Sequence, residues 1–223
     1  MKHVVFLVSG IIWITQLCSG ASCVSGTLAS YIALGSTGCA IGANQVFGFQ
    51  TVNGLAGAIP ISPSDITITP IGSAFDPGII AATNAHAAAG VTLETLFSYR
   101  ISGNTYTGSS INLAGSSSTG DGGVTDVQNS CAGGTFGLDG VSSCNGIPGS
   151  LVLLNSGNDS ATFAAVTSLS VTDDLTFDGG TTGSAIGGSI TDRFTAVPEP
   201  FTFLLTAMGI ALAFGLRLTK RIL

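Results

Sequence analysis

The sequence predicts a mainly β fold, an antiparallel β-sandwich, on three observations. Charged residues make up only 8% of the chain, while 32 glycines and abundant Ser, Thr and Ala fill its middle. Short apolar segments of period two recur. Turn dipeptides separate them. Asn53-Gly54, Asp121-Gly122, Asp139-Gly140, Asn145-Gly146 and Asp178-Gly179 are such turns. Many short strands with one apolar face pack as two antiparallel layers. Hydrophobic residues at 45% argue against disorder, a state of low hydrophobicity and high charge.

The strands follow in order. Phe47 and Phe49 alternate near Val52, and Ile66 and Ile68 alternate with Thr67 and Thr69 before Pro70. Val91 to Ile101 is the clearest strand, with Val91, Leu93, Thr95, Phe97, Tyr99 and Ile101 on one face. Ile111–Leu113, Ser150–Leu154, Ala161–Val166 and Ser168–Phe177 complete the set. The Ala-rich stretch Ile79 to Gly90 is compatible with a helix or a loop. Ser116–Gly123 reads as a Gly/Ser-rich loop. No repeat of 20–50 residues is visible, which disfavours a solenoid or propeller.

Both ends read as targeting segments, leaving about 175 residues for one domain with a core of its own. Lys2 and His3 precede the apolar run Val4 to Leu17, and small residues through Ser22 follow. This is the form of a signal peptide over 1–22 that the Sec translocon would take. Trp13, the one tryptophan, falls inside it. Four cysteines remain in the predicted ectodomain 23–196: Cys23, Cys39, Cys131 and Cys144. An even number in an exported chain reads as disulfides, and proximity favours Cys23–Cys39 and Cys131–Cys144. No Cys-x-x-Cys pair competes as a metal site.

Charge narrows the partners. Between 23 and 200 lie two basic and twelve acidic side chains, a net of −10 without a lysine. Such a surface repels phosphate backbones, so nucleic acid is excluded as a partner, and a polysaccharide matrix or a divalent cation suits it better. Asp173, Asp174 and Asp178 beside Gly179-Gly180 are the oxygen ligands a calcium ion would use. They lack an Asp-x-Asp-x-Asp-Gly loop and read foremost as a solvated acidic turn, as do Asp121 and Asp126. No cofactor is expected.

Catalysis finds little support. His86, the one histidine of 23–196, lies in an Ala-rich run, and no Gly-x-Ser-x-Gly elbow occurs, so the chain reads as a non-enzyme. Glu94 falls on the polar face of its strand and reads as solvent-facing. Arg100 shares that face as an ordinary surface partner. Tyr31 and Tyr99 fall in apolar strand patterns, which leaves Tyr106 as the exposed aromatic platform for a glycan.

The C-terminal segment 197–223 has three parts. Val197-Pro198-Glu199-Pro200 is extended, because neither proline tolerates a helix interior. An apolar stretch over 201–218 is long enough for one membrane helix. The basic tail 217–223, with Arg217, Lys220 and Arg221, holds the last residues in the cytoplasm. A Pro-Glu-Pro motif against an apolar helix and a basic stop resembles the PEP-CTERM sorting domain. That family occurs in exported proteins of exopolysaccharide-producing Gram-negative bacteria. Here Phe201-Thr202 follows the motif where small hydroxyl residues are common, and Ile222-Leu223 end the chain.

The resemblance implies processing at the motif by an exosortase, a membrane-embedded cysteine protease. It also implies tethering in the inner membrane before release to the cell surface or beyond. A looser resemblance to a recurring ectodomain type of that family rests on several pieces and implies no activity. These are Cys23 with Leu28-Ala29-Ser30-Tyr31-Ile32, Gly38-Cys39, Phe47-x-Phe49, Asp178-Gly179-Gly180 and Phe194. The expected function is therefore an exported envelope or matrix protein. A glycan- or calcium-binding adhesive module is the alternative, and a secreted hydrolase the remotest.

Overall fold

The computed structural model describes residues 20–197, apart from 53 and 138–141. Residues 1–19 of the expected signal peptide, Pro198–Pro200, the apolar 201–218 and the basic tail lie outside the described residues, whereas Ala21 and Ser22 at the end of that expected peptide lie against Ala40. Among those described, no helix is long and apolar enough to cross a membrane.

The fold is mainly β, as expected. In chain order come β1 (Gly26–Thr27), α1 (Leu28–Ala33), β2 (Cys39–Ile41), β3 (Asn44–Thr51), β4 (Ile59–Pro60), β5 (Ile66–Gly72) and β6 (Pro77–Thr83). Then follow β7 (His86–Ala88), β8 (Thr92–Ala114), β9 (Ser117–Thr119), β10 (Gly123–Ala132), β11 (Ile147–Leu154), β12 (Gly157–Asp178), β13 (Ser184–Ile186) and β14 (Ser189–Val197). The main sheet runs β1-β5-β6-β14-β8-β12-β10-β11. β3 also pairs with β8 and β2 with β3, while β7, β13 and β9 form a small sheet of their own. Every pairing is antiparallel except the short β4–β8 contact.

β8 and β12 organise the core. The first half of β8 pairs with β3, and its second half pairs with β14 along the same edge. Ile111 of β8 lies opposite Asp192 of β14, yet the Tyr99 hydroxyl reaches the Asp192 carboxylate at 2.6 Å. Tyr99 and Ile111 are twelve residues apart, about 40 Å along a straight strand at ~3.3 Å per residue. The sheet must therefore double back, so that its halves face one another. Register shifts in β12 around Val166 and in β14 at Thr195/Ala196 mark the bend. Gly103 (φ +114°) lies there, where a Cβ would stand 2.4 Å from the Ala43 carbonyl oxygen. Between the layers Tyr31 meets Phe49 edge-on at 5.0 Å. Phe49 stacks on Tyr99 at 5.0 Å, and Tyr99 meets Phe194 at 6.3 Å.

Several sequence expectations need correction. Ile79 to Gly90 is neither helix nor loop. Its β-branched Ile79-Ile80 pairs between β5 and β14, and Ala87 of β7 is fully buried. Tyr31 belongs to α1, capped by the Thr27 hydroxyl accepting from Ser30 N at 3.2 Å. The apparent strands 91–101 and 111–113 are one strand, as are 161–166 and 168–177, because bulges absorb the turn-like residues between them. Ser116–Gly123 includes β9. Both expected disulfides are present, Cys23–Cys39 and Cys131–Cys144.

Candidate functional site

A cleft of about 310 Å³ opens where β3, β8 and β12 meet the segments after α1 and β10. Gly48 (φ +66°) is the hinge of its wall. The extra residue there shifts the register against β8, so Val46 and Phe49 both enter the core while Phe47 turns half-exposed toward the cleft. Ser98, Arg100 and Ser170 supply its polar side, with Gln50 at the rim and half-buried Phe136 opposite. Phe136 arrives there because Cys131–Cys144 closes the segment that carries it, which Thr135 N secures by donating to Asn145 Oδ1 at 2.7 Å.

Arg100 is exposed and its side chain has no ion pair or hydrogen bond among the described residues, whereas Arg193 pairs with Asp76. Arg100 is therefore the donor fork the cleft presents to a ligand. A second hollow, about 600 Å³, lies beside Asp65, Asn84 and Leu93 and has neither an aromatic nor a cationic wall. His86 is exposed on β7 and lines neither.

The acids fall into four environments. Asp121 is the exposed clamp of a turn. Its carboxylate accepts from Thr181 N (2.8 Å), Thr181 Oγ1 (2.5 Å), Thr182 N (2.9 Å) and Thr182 Oγ1 (3.1 Å), with the Thr181 hydroxyl foremost in holding it well below the usual carboxylate range. Asp178 is exposed and accepts from Gly180 N at 2.9 Å. Asp174 is half-buried beside Glu94, and burial, then the Glu94 charge, push it up to about 6. Glu94 is not solvent-facing: the loop after β3 folds over it, Leu55 N donates to its Oε2 at 2.6 Å, and only 4% of it is exposed.

The fourth environment is the interior. Asp126 of β10, Asp173 of β12 and Asp192 of β14 are each completely buried between the layers. Asp192 accepts from Tyr99 Oη at 2.6 Å and from Gln128 Nε2 at 2.8 Å. Both carboxyl oxygens of Asp126 and of Asp173, and Oε1 of Gln128, have no hydrogen-bond donor. Burial raises Asp126 to about 8, helped by the charges of Asp192 and Asp174. It raises Asp173 too, together with the charges of Asp192 and Asp126. Asp192 is raised only to about 6, by burial, because Tyr99, Asp173 and Gln128 hydrogen-bond to it.

The solvated acidic turn expected of these acids holds only for Asp121 and Asp178, which face solvent: Asp173 points inward, Asp174 lies half-buried on the opposite face and Asp126 is interior, so the three calcium candidates are dispersed. Among the described residues no group of three or more His, Cys, Asp or Glu is arranged to hold a metal. Tyr106 is fully buried, its hydroxyl donating to Asn44 Oδ1 at 2.7 Å, so it is no exposed platform. Val197, the first residue of the expected sorting motif, lies in β14, and Pro198, Glu199 and Pro200 fall outside the described residues. Sequence reading missed Phe136 and Asp192 altogether. Asp192 had a signal, since it shares strand parity with Ile190 and Phe194, as Asp173 does with Val171 and Leu175.

No protein-family model matches the chain, and no curated protein matches it. Among solved structures, "TmCBM61 in complex with beta-1,4-galactotriose" aligns over 61% of this chain and 90% of its own, at 8% identity and a TM-score of 0.26. A superposition that shallow supports no argument about fold or ligand.

Proposed function

We propose that this chain is an exported envelope or matrix protein without catalytic activity, sorted through Val197-Pro198-Glu199-Pro200 by an exosortase-type protease. The observation that carries the reading is the pair of disulfides inside a mainly β ectodomain, which calls for an oxidising compartment outside the cytoplasm. The last strand supports it. β14 runs through Val197, the first residue of the motif, and Pro198 after it has no backbone N–H to donate to a ladder. The apolar 201–218 and Arg217, Lys220 and Arg221 would tether the ectodomain to the inner membrane until processing. Changing Glu199→Ala is expected to leave the full-length form accumulating in the membrane. Mass spectrometry of the protein's two termini reads this directly, and a variant matured and released like the parent would refute sorting in favour of a plain tail anchor.

A second reading, glycan binding, is favoured by the cleft. Phe47 and Phe136 offer half-exposed rings, Ser98 offers a hydroxyl, and Arg100 offers a guanidinium without a partner among the described residues, the mixture of apolar faces and few polar groups that small-ligand sites use. The host's exopolysaccharide is the natural probe. Arg100→Ala and Phe136→Ala are each expected to reduce retention of the full chain on it by about tenfold, equivalent to ~1.4 kcal/mol. Equal retention of both variants and parent would remove the cleft from consideration.

A further inference from the structure

Three carboxyl groups from three strands converge in a space closed on all sides by protein. Tyr99 faces them from β8, Asp126 and Gln128 from β10, Asp173 from β12, and Asp192 from β14. Asp174, on the far face of β12, adds a further negative charge to the field at Asp126. Among the described residues no cation enters. Arg193, next to Asp192 in sequence, points outward to Asp76, and Arg100 lies in the surface cleft.

If all three groups were ionised, four carboxylate oxygens would be buried with no donor, a cost of several kcal/mol per charge. A proton on Asp173 changes that, because its O–H then donates to Asp192, which already accepts from Tyr99 and Gln128. A proton on Asp126 gives its O–H the same freedom toward an acceptor. The unpartnered Oε1 of Gln128 shows that the pocket still has an acceptor to offer.

We infer that Asp126, Asp173 and Asp192 form a proton-held lock between the two layers of the sheet, so that the ectodomain is tightest in acid and loosens as the pH rises. The sign follows from linkage. A carboxyl whose folded pKa is raised favours folding below its unfolded value near 3.8 and loses that contribution as the pH climbs through the folded value. The contribution is lost at about 6 for Asp192 and at about 8 for Asp126. The fall in stability therefore spans roughly pH 4 to 8.

The test is the melting temperature of the full chain in detergent across pH 4 to 9. A drop of about 10 °C or more between pH 5 and 8 is expected, at 1.36 kcal/mol per pKa unit and ~2–4 °C per kcal/mol for a chain of this size. Asp126→Asn with Asp173→Asn should flatten the profile and raise the melting temperature at pH 8. In the unmodified protein, the infrared band of protonated carboxyl groups should persist at pH 7. A flat or rising profile, or no such band, overturns the lock. Restoration of the pH 5 melting temperature at pH 8 by calcium alone would overturn it too, assigning the space to a cation.

Discussion

Reduction of both disulfides is expected to lower the folding free energy by about 6 kcal/mol. The bridged cysteines are 16 and 13 residues apart, and loops of that size each stabilise by about 3 kcal/mol through the entropy they remove from the unfolded chain. The two bridges share no residue and tie different parts of the fold, so their effects should add. Cys23–Cys39 fastens the N-terminal segment and α1 to β2, beside the backbone bonds Cys23 N to Ala40 O and Ala40 N to Ala21 O, both 2.9 Å. Cys131–Cys144 joins the end of β10 to the segment before β11 and holds Phe136 at the cleft. A loss of 6 kcal/mol is a large share of the 5–15 kcal/mol that typical domains possess, so the reduced chain should be unfolded or nearly so at 37 °C. Urea midpoints with and without reductant measure it, and Cys23→Ala/Cys39→Ala and Cys131→Ala/Cys144→Ala should each show about half. A combined loss under ~2 kcal/mol would mean that the ladder alone holds these segments and that folding does not require an oxidising compartment.

The disulfides were legible because spacing in an exported chain leaves few alternatives. The central strands were legible because Phe97, Tyr99 and Ile101 keep strict alternation. What escaped is what bulges and tertiary cover decide. The alternation of Phe47 and Phe49 suggests one shared face, but the bulge at Gly48 sends them to different sides and so makes the cleft wall. Glu94 has the parity of a solvent-facing residue, and a loop some forty positions earlier covers it. At Ser102-Gly103-Asn104 local chemistry favours a turn, while the doubled sheet uses the same residues to bend without ending. Asp126 and Asp173 read locally as solvated acids, because no local pattern says that β10, β12 and β14 meet. Only the topology brings Asp126, Asp173 and Asp192 together.

Replacing Asn44 with Ala is expected to cost about 3 kcal/mol, a large effect for one polar side chain. Asn44 is buried and uses its whole hydrogen-bonding capacity. Its Nδ2 donates to the Ile41 and Ala74 carbonyls at 3.1 and 2.9 Å, and its Oδ1 accepts from Asn104 Nδ2 at 2.9 Å and Tyr106 Oη at 2.7 Å. It thereby joins the β2–β3 turn, the loop before β6 and the bend of β8. Truncation strands the Tyr106 hydroxyl without a partner, at roughly 1–3 kcal/mol, and leaves a small cavity, while the Ile41 carbonyl keeps the backbone N–H of its hairpin partner at position 44. The Ala74 carbonyl keeps its bond from Asn104 Nδ2 at 2.9 Å, which bounds the loss. Tyr106→Phe should cost only about 1 kcal/mol, because Asn44 Oδ1 still accepts from Asn104. Denaturant melts of the two variants rank them, and equal losses would make the Tyr106 hydroxyl, rather than Asn44, the centre of the network. Retention on exopolysaccharide adds a second discrimination. Burial holds the Tyr106 hydroxyl's pKa above its usual value and the ring away from solvent, so Tyr106→Phe should leave retention unchanged while Phe136→Ala reduces it. The aromatic side chains that a glycan meets are then those exposed by the bulge and the disulfide loop, not the tyrosine that turn-rich sequence appeared to offer.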